Sequence, residues 1–264
     1  MRVSGPAAEE YLQRMVSNDV AVLAPGESCD ALLLTPKARV IAVLRVLRRA
    51  ADDFLLLTEP ELGEAVRAEL LRFRFAARAE IELEEHRSYV LFGSGVEGSD
   101  GRAIPNPDYG VPALEILDGD VPEGATELSG DALEELRIRA GTPRFGREID
   151  ERVLPAEAGL VERAVSLAKG CYPGQEPVAR LHYRGHVNRE LRILLLENGE
   201  VPASEATIEY EGKTVGRVTS AVGTEEGVLA LAYVRVEVPP DAELGIGSAK
   251  ARSLARGARA RPLE

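Results

Sequence analysis

Lys169-Gly170-Cys171-Tyr172-Pro173-Gly174-Gln175-Glu176 reads least like a regular element and most like a site. Gly170 and Pro173-Gly174 break the chain on both sides of Cys171, which predicts a thiol on a tight turn. Beyond Gly174, Gln175 to Leu181 predicts a helix with Pro177 in its first turn, where a missing N–H does no harm. A thiol just ahead of a helix N-terminus meets exposed N–H groups that favour the thiolate. Lys169 precedes it, and Arg180, Arg184 and Arg189 follow, with His182 and His186 between them. Surroundings of this kind draw a thiol from about 8.5 toward roughly 3.5–7.5. The segment is therefore read as a reactive or ligand-handling cysteine rather than a small buried hydrophobe.

The rest of the chain bounds that reading. Its 264 residues are 45% hydrophobic and 29% charged, enough for a real core and unlike a disordered composition. A net charge of −12 opposes a general phosphate-backbone binder, so no strong nucleic-acid binding is expected. Cys29 and Cys171 are the only cysteines, which leaves no disulfide framework and no paired-cysteine metal knuckle. The start, Met1-Arg2-Val3-Ser4-Gly5, predicts no signal peptide, and no apolar run is long enough for a bilayer. A cytoplasmic protein is expected. His182 and His186 have metal-like spacing, but Tyr183-Arg184-Gly185 between them brings no acid, and no stably bound metal is expected. GxSxG and P-loop elements are absent, and a dinucleotide-binding fold is not expected either.

Outward from the cysteine, the pattern is mixed α and β. Ala7, Tyr11, Leu12, Met15 and Val16 mark one face of a first helix that stops at Ser17-Asn18-Asp19. Strands over 31–34 and 39–47 form a hairpin around Pro36-Lys37. A strand over 53–57, a helix from Glu59 to about Phe73 and a strand over 79–83 form a strand–helix–strand unit, within a subdomain of about 51–92. Thr58 and Pro60 supply a cap and a first-turn proline to that helix. Gly130 to Ala140 is another helix. After about residue 190, strands over 191–196, 207–210, 214–221 and 228–238 predict a small barrel, with Glu211-Gly212-Lys213 as a three-residue hairpin loop. The end from Lys250, with Arg252, Arg256, Arg259 and Arg261, reads as a basic tail. The division expected is 1–190 and 191–264.

The cysteine segment, with Arg180 and Arg184-Gly185, resembles the K-G-C-Y-x-G-Q-E-x-x-x-R-x-x-x-R-G signature of the YgfZ family, folate-binding relatives of the glycine-cleavage T-protein (aminomethyltransferase). Tyr11-Leu12-Gln13 through Ser17-Asn18-Asp19-Val20 is similar to the family's F-L-Q-x-x-x-T-N-D-V opening. Arg137 to Gly146 with Pro155-Ala156-Glu157 resembles R-x-x-x-G-x-P-x-x-G and P-x-E. Val215 to Ser220 and Leu229 to Val234 resemble the family's barrel strands V-G-x-V-T-S and A-L-A-x-V. The likeness spans nearly the whole chain and is weakest over 93–130. Val40-Ile41-Ala42-Val43 stands where T-proteins carry paired aspartates.

This resemblance implies an α+β fold, with a T-protein-like multi-part α/β core around a central folate cavity and a small C-terminal β-barrel. It implies a tetrahydrofolate-binding accessory protein that supports assembly, maintenance or repair of iron–sulfur enzymes, including tRNA-modifying ones. The expected partners are iron–sulfur proteins or their assembly machinery, and the motif thiol of Cys171, beside Lys169, carries the activity. Asp19 is implied at the reacting part of the folate and Glu157 at its pterin ring, a role that bidentate carboxylate hydrogen bonding suits. Asn18, Arg144, Gln175, Glu176, Arg180 and Arg184 complete the implied ligand-binding set, with the arginines of 180–189 matched to folate's anionic glutamate tail. The alternative is a tetrahydrofolate-dependent aminomethyltransferase or demethylase.

Overall fold

The computed structural model describes residues 1–93, 103–197 and 199–255. The first sheet is built from β1 (Arg2–Ser4), β2 (Ser28–Leu34), β3 (Val40–Ala50), β4 (Asp53–Leu57) and β5 (Glu80–Glu82), in the order β2-β3-β4-β1-β5. The helices α1 (Ala8–Met15) and α2 (Gly63–Phe73) cover one face of it through Tyr11, Leu12, Met15, Val66 and Leu70. β1 enters between β4 and β5, antiparallel to both, so the strand–helix–strand unit is one half of a larger sheet. A short second sheet has the order β6-β8-β7, from β6 (Ser88–Phe92), β7 (Ala103–Pro105) and β8 (Ala113–Leu117). Then come α3 (Gly130–Ala140), the single turn α4 (Val161–Ala164) and α5 (Gln175–Arg184).

The remaining strands are β9 (Arg189–Leu196), β10 (Thr207–Tyr210), β11 (Lys213–Thr224), β12 (Gly227–Arg235), β13 (Leu244–Ile246) and β14 (Ala249–Leu254). They close as β10-β11-β12-β9-β14-β13. The α+β class and the C-terminal barrel are therefore as expected. The barrel has six strands, however, where the sequence reading found four. Lys250 and Arg252 belong to β14 rather than to a tail, while Arg256, Arg259 and Arg261 lie outside the described residues.

Alternation explains why several strands carry unbroken apolar runs. In β2, Ala31 and Leu33 face the α1/α2 core, while Leu32 and Leu34 face a second core. That second core also takes Leu191, Ile193 and Leu195 of β9 and Leu229, Leu231 and Tyr233 of β12. Leu194, Leu196, Ala230 and Ala232 point into the barrel instead. Strands buried on both faces have no polar side to show.

Two local expectations change, and one glycine pattern is placed. The β10–β11 loop has two residues, because Tyr210 pairs with Lys213, and Glu211 and Gly212 both take positive φ (51° and 72°) as a type I′ turn requires. Thr58 does not cap α2; its hydroxyl donates to the Val43 carbonyl at 2.9 Å, and Pro60 opens a 3-10 turn that leads into the helix. Gly93-Ser94-Gly95-Val96-Glu97-Gly98 has dinucleotide-loop glycine spacing, with residues 94–98 outside the described ones. β6 before it pairs antiparallel with β8, whereas that fingerprint belongs to a parallel βαβ unit.

Candidate functional site

The cysteine segment is an extended loop that turns into α5, and two of its residues anchor it. Gly174 takes φ 83°, and a Cβ there would lie 2.6 Å from the Thr35 carbonyl oxygen and 3.1 Å from Ala38 Cα. Only glycine lets the loop press so closely against the β2–β3 hairpin. Gly170 has open space around it and needs no special conformation. Lys169, 7% exposed, sends its ammonium toward the end of α1 and donates to the Val16 and Asn18 carbonyls at 2.8 and 2.6 Å. Burial draws that ammonium down to about 8, against the opposing pull of Asp19 and Cys29.

The two motifs are thus joined. Asn18, Asp19, Lys169 and Gln175 form one group: Gln175 donates to the Lys169 carbonyl at 3.3 Å, and Gln13 donates to the Asp19 carboxylate at 2.9 Å. Ser17 fastens the turn on both sides, donating to the Ala164 carbonyl at 2.6 Å and accepting from the Leu32 N–H at 2.8 Å. The Lys169 charge lies near Cys29 of β2, whose thiol burial pushes up to about 12. Cys171 itself is exposed, as is Glu176. Tyr172 is buried under the loop, and its hydroxyl has no partner among the described residues.

A cavity of about 1320 Å³ opens between the first sheet, the second sheet, α3 and the barrel. Of the ligand-binding residues read from the sequence, only Arg144 lines it. Asp19, Cys171 and Glu157 do not, and Arg180 and Arg184 line a smaller, separate cavity under α5. Glu157, 9% exposed, accepts from Arg189 Nε at 3.1 Å and Nη2 at 3.3 Å, and from the Leu154 N–H at 3.1 Å. The arginines of 180–189 therefore divide between two places.

The large cavity holds a charged cluster that the sequence reading missed. Arg45 donates to Asp30 (3.2 Å), Asp108 (2.9 Å) and Glu115 (3.1 Å). Arg163 donates to Asp30 (2.9 Å) and Asp108 (2.5 Å). Burial alone would raise the Asp108 carboxyl, but Arg45 and Arg163 outweigh it and hold it below its ordinary range. One signal was available: Arg45 interrupts the apolar run Val43-Leu44-Arg45-Val46-Leu47 in the middle of a strand. Arg137 makes a second cluster, bonding Glu134, Glu148, the Thr142 carbonyl and Ser220 of the barrel. By contrast, the Arg144 guanidinium makes no ion pair among the described residues and is free to meet an anion.

The remaining lining has the elements a folate would use. Val43, Leu57, Val90 and Leu117 supply apolar wall, Tyr109 an aromatic ring and Glu59 a carboxylate. The lining is mixed, with many charged side chains standing beside this apolar wall.

No family model matches the chain. In sequence it is similar to the tRNA-modifying protein YgfZ of Enterobacter sp. (strain 638), with 28% identity over 262 residues, covering 85% of this chain and 79% of that protein. It is also similar to an aminomethyltransferase of Lysinibacillus sphaericus (strain C3-41), with 24% identity over 261 residues, covering 83% and 70% of the two chains. In structure it resembles the glycine cleavage system aminomethyltransferase T from Bartonella henselae, with a TM-score of 0.79 over 96% of this chain and 81% of that one. At 23% identity that likeness is one of fold.

Proposed function

Because this chain is a YgfZ-type relative of the aminomethyltransferases, we propose that it is a folate-binding accessory protein of tRNA modification, supporting iron–sulfur enzymes through Cys171. The observation that carries the folate reading is the central cavity with its free Arg144. In this proposal Arg144 meets the anionic glutamate tail, Glu59 meets the donor edge of the pterin, and Tyr109 covers a ring face. Bound tetrahydrofolate would supply one-carbon chemistry. Glu59 is already oriented, since it accepts from the Phe145 N–H at 3.4 Å. Asp19 and Lys169 serve the thiol loop by fixing its position against α1.

Iron–sulfur proteins or their assembly machinery are the proposed partners, and the cytoplasm is the proposed setting. Among the described residues no helix is long and apolar enough to cross a membrane. Two measurements test the reading. Calorimetric titration with tetrahydrofolate is expected to saturate on the wild type and to weaken about tenfold in Arg144→Ala, the loss of a charge-assisted contact; no binding to the wild type would remove the folate half. In a strain lacking its own YgfZ-type factor, the wild type is expected to rescue and Cys171→Ala to fail. Equal rescue by both would remove the thiol half.

A second reading, a tetrahydrofolate-dependent aminomethyltransferase or demethylase, is favoured by the sequence similarity to an aminomethyltransferase. One-carbon transfer that survives Cys171→Ala and is lost in Asp19→Asn would select it.

A further inference from the structure

The cavity under α5 has a volume of about 450 Å³ and shares no lining residue with the central one. Its floor is apolar, made by Ala38, Leu154, Pro155, Val161, Val178 and Leu181. Its rim is cationic. Lys37 stands on the hairpin side, and Arg180 and Arg184 stand on α5. All three are exposed, and none of their side chains makes a hydrogen bond or ion pair among the described residues. No carboxylate lines the cavity. In a chain with 44 acidic residues against 32 basic ones, such a gathering of unpaired cations goes against the overall charge balance. Other exposed arginines have partners on their own surface, such as Arg14 with Glu10 and Arg235 with Glu237.

The helix above this cavity is built like a contact surface. Of its 10 residues only Val178 is buried. Tyr183 is 68% exposed, and its ring meets His182 edge-on at 4.9 Å. Tyr and Arg are the residue types that carry most binding energy at protein interfaces. Gly174 locks the base of the helix onto the hairpin that carries Lys37, so the two lips of the cavity are held at a fixed spacing. Exposed Cys171 lies at the foot of the same helix, which spans roughly 15 Å.

We propose that this cavity and the exposed face of α5 dock an acidic segment of a partner protein. An apolar side chain of that segment enters the cavity, and its carboxylates meet Lys37, Arg180 and Arg184. Charge complementarity selects the occupant, because an apolar pocket ringed by free cations rejects basic and neutral polar segments alike. The inference rests on the Cys171 reading for its purpose, which is to bring a partner to the thiol. The binding itself needs neither the thiol nor folate.

The test uses the full chain and two fluorescein-labelled peptides, one a Glu/Leu octapeptide and the other its Gln/Leu counterpart. In fluorescence anisotropy the acidic peptide is expected to saturate the wild type and to weaken as salt rises. The double variant Arg180→Glu/Arg184→Glu is expected to lose at least about tenfold in affinity, with an unchanged melting curve because both side chains are exposed and unpaired. Cys171→Ala is expected to bind as the wild type does, which keeps this result separate from the complementation result. The proposal is overturned by no saturation up to roughly 1 mM, by equal binding of the neutral peptide, or by equal binding to the double variant. It is also overturned if polyglutamyl tetrahydrofolate, but not the monoglutamyl form, loses affinity for the double variant, since the cations would then serve the cofactor's tail.

Discussion

Arg189 lays its guanidinium along the Glu157 carboxylate, with Nε at 3.1 Å from Oε1 and Nη2 at 3.3 Å from Oε2. The same arginine stacks over the Tyr233 ring at 4.8 Å, so β9 and β12 hold the Pro155–Glu157 turn in place. Glu157→Ala would leave Arg189 half-buried without its partner and the Leu154 N–H unbonded. We expect a loss of roughly 2 kcal/mol in denaturant unfolding, with tetrahydrofolate affinity of the folded protein unchanged. Lost affinity at unchanged stability would return Glu157 to the ligand.

Lys169 makes stability depend on pH in a defined window. Its ammonium is drawn down to about 8 in the fold, from 10.5 in the unfolded chain. Between those values the unfolded state holds more protons, so stability rises with pH. Measured against Lys169→Met, the wild type should gain on the order of 3 kcal/mol between pH 8 and 10.5, and nothing below 8. Parallel pH–stability curves for the two proteins would refute this.

The two glycines flanking Cys171 should behave differently. Gly174→Ala sets a Cβ against the Thr35 carbonyl at a positive φ, and a cost of about 2–4 kcal/mol is expected. Gly170→Ala meets nothing and should change stability by less than about 0.5 kcal/mol. Thermal unfolding of the pair decides it, and equal losses would show that Gly174 is not the anchor.

Glu148 is almost wholly inaccessible, yet it accepts from Arg137 (3.0 Å), the Arg144 N–H (3.0 Å) and Ser220 (2.6 Å). Glu148→Ala takes one of two carboxylates from the buried Arg137 guanidinium, which keeps Glu134, and leaves the Arg144 N–H unbonded, so it should cost about 2–4 kcal/mol. Ser220→Ala, which removes one bond from each of two charged partners, should cost about 1–3 kcal/mol. Losses well below these would mean that water replaces the cluster.

The hairpin over 28–50 and the barrel strands were legible because apolar runs bounded by turn residues survive any tertiary context. β13 and β14 were not. Leu244–Ile246 is three residues long, and Ala249–Leu254 hides only Ala251 among Lys250 and Arg252, so it reads as a basic tail. The cysteine loop was recognised as a special segment, but Lys169 was assigned to the thiol beside it in sequence rather than to the Asn18 carbonyl across space. The central cavity was least legible of all. Asp30, Arg45, Asp108, Glu115 and Arg163 sit on five separate segments, and apart from Arg45, which interrupts an apolar strand, each alone looks like an ordinary surface charge.

β2 divides its side chains between two cores, Ala31 and Leu33 on one side and Leu32 and Leu34 on the other. A slip of one residue along β3 would exchange both sets together. Neither core tolerates the exchange, so the strand is a shared wall whose misplacement is penalised twice. The loop bearing Cys171 leans on the hairpin that ends this strand. It therefore takes its fixed position from hydrophobic proofreading on both sides of a sheet, and an exposed thiol is held still without a rigid shell of its own.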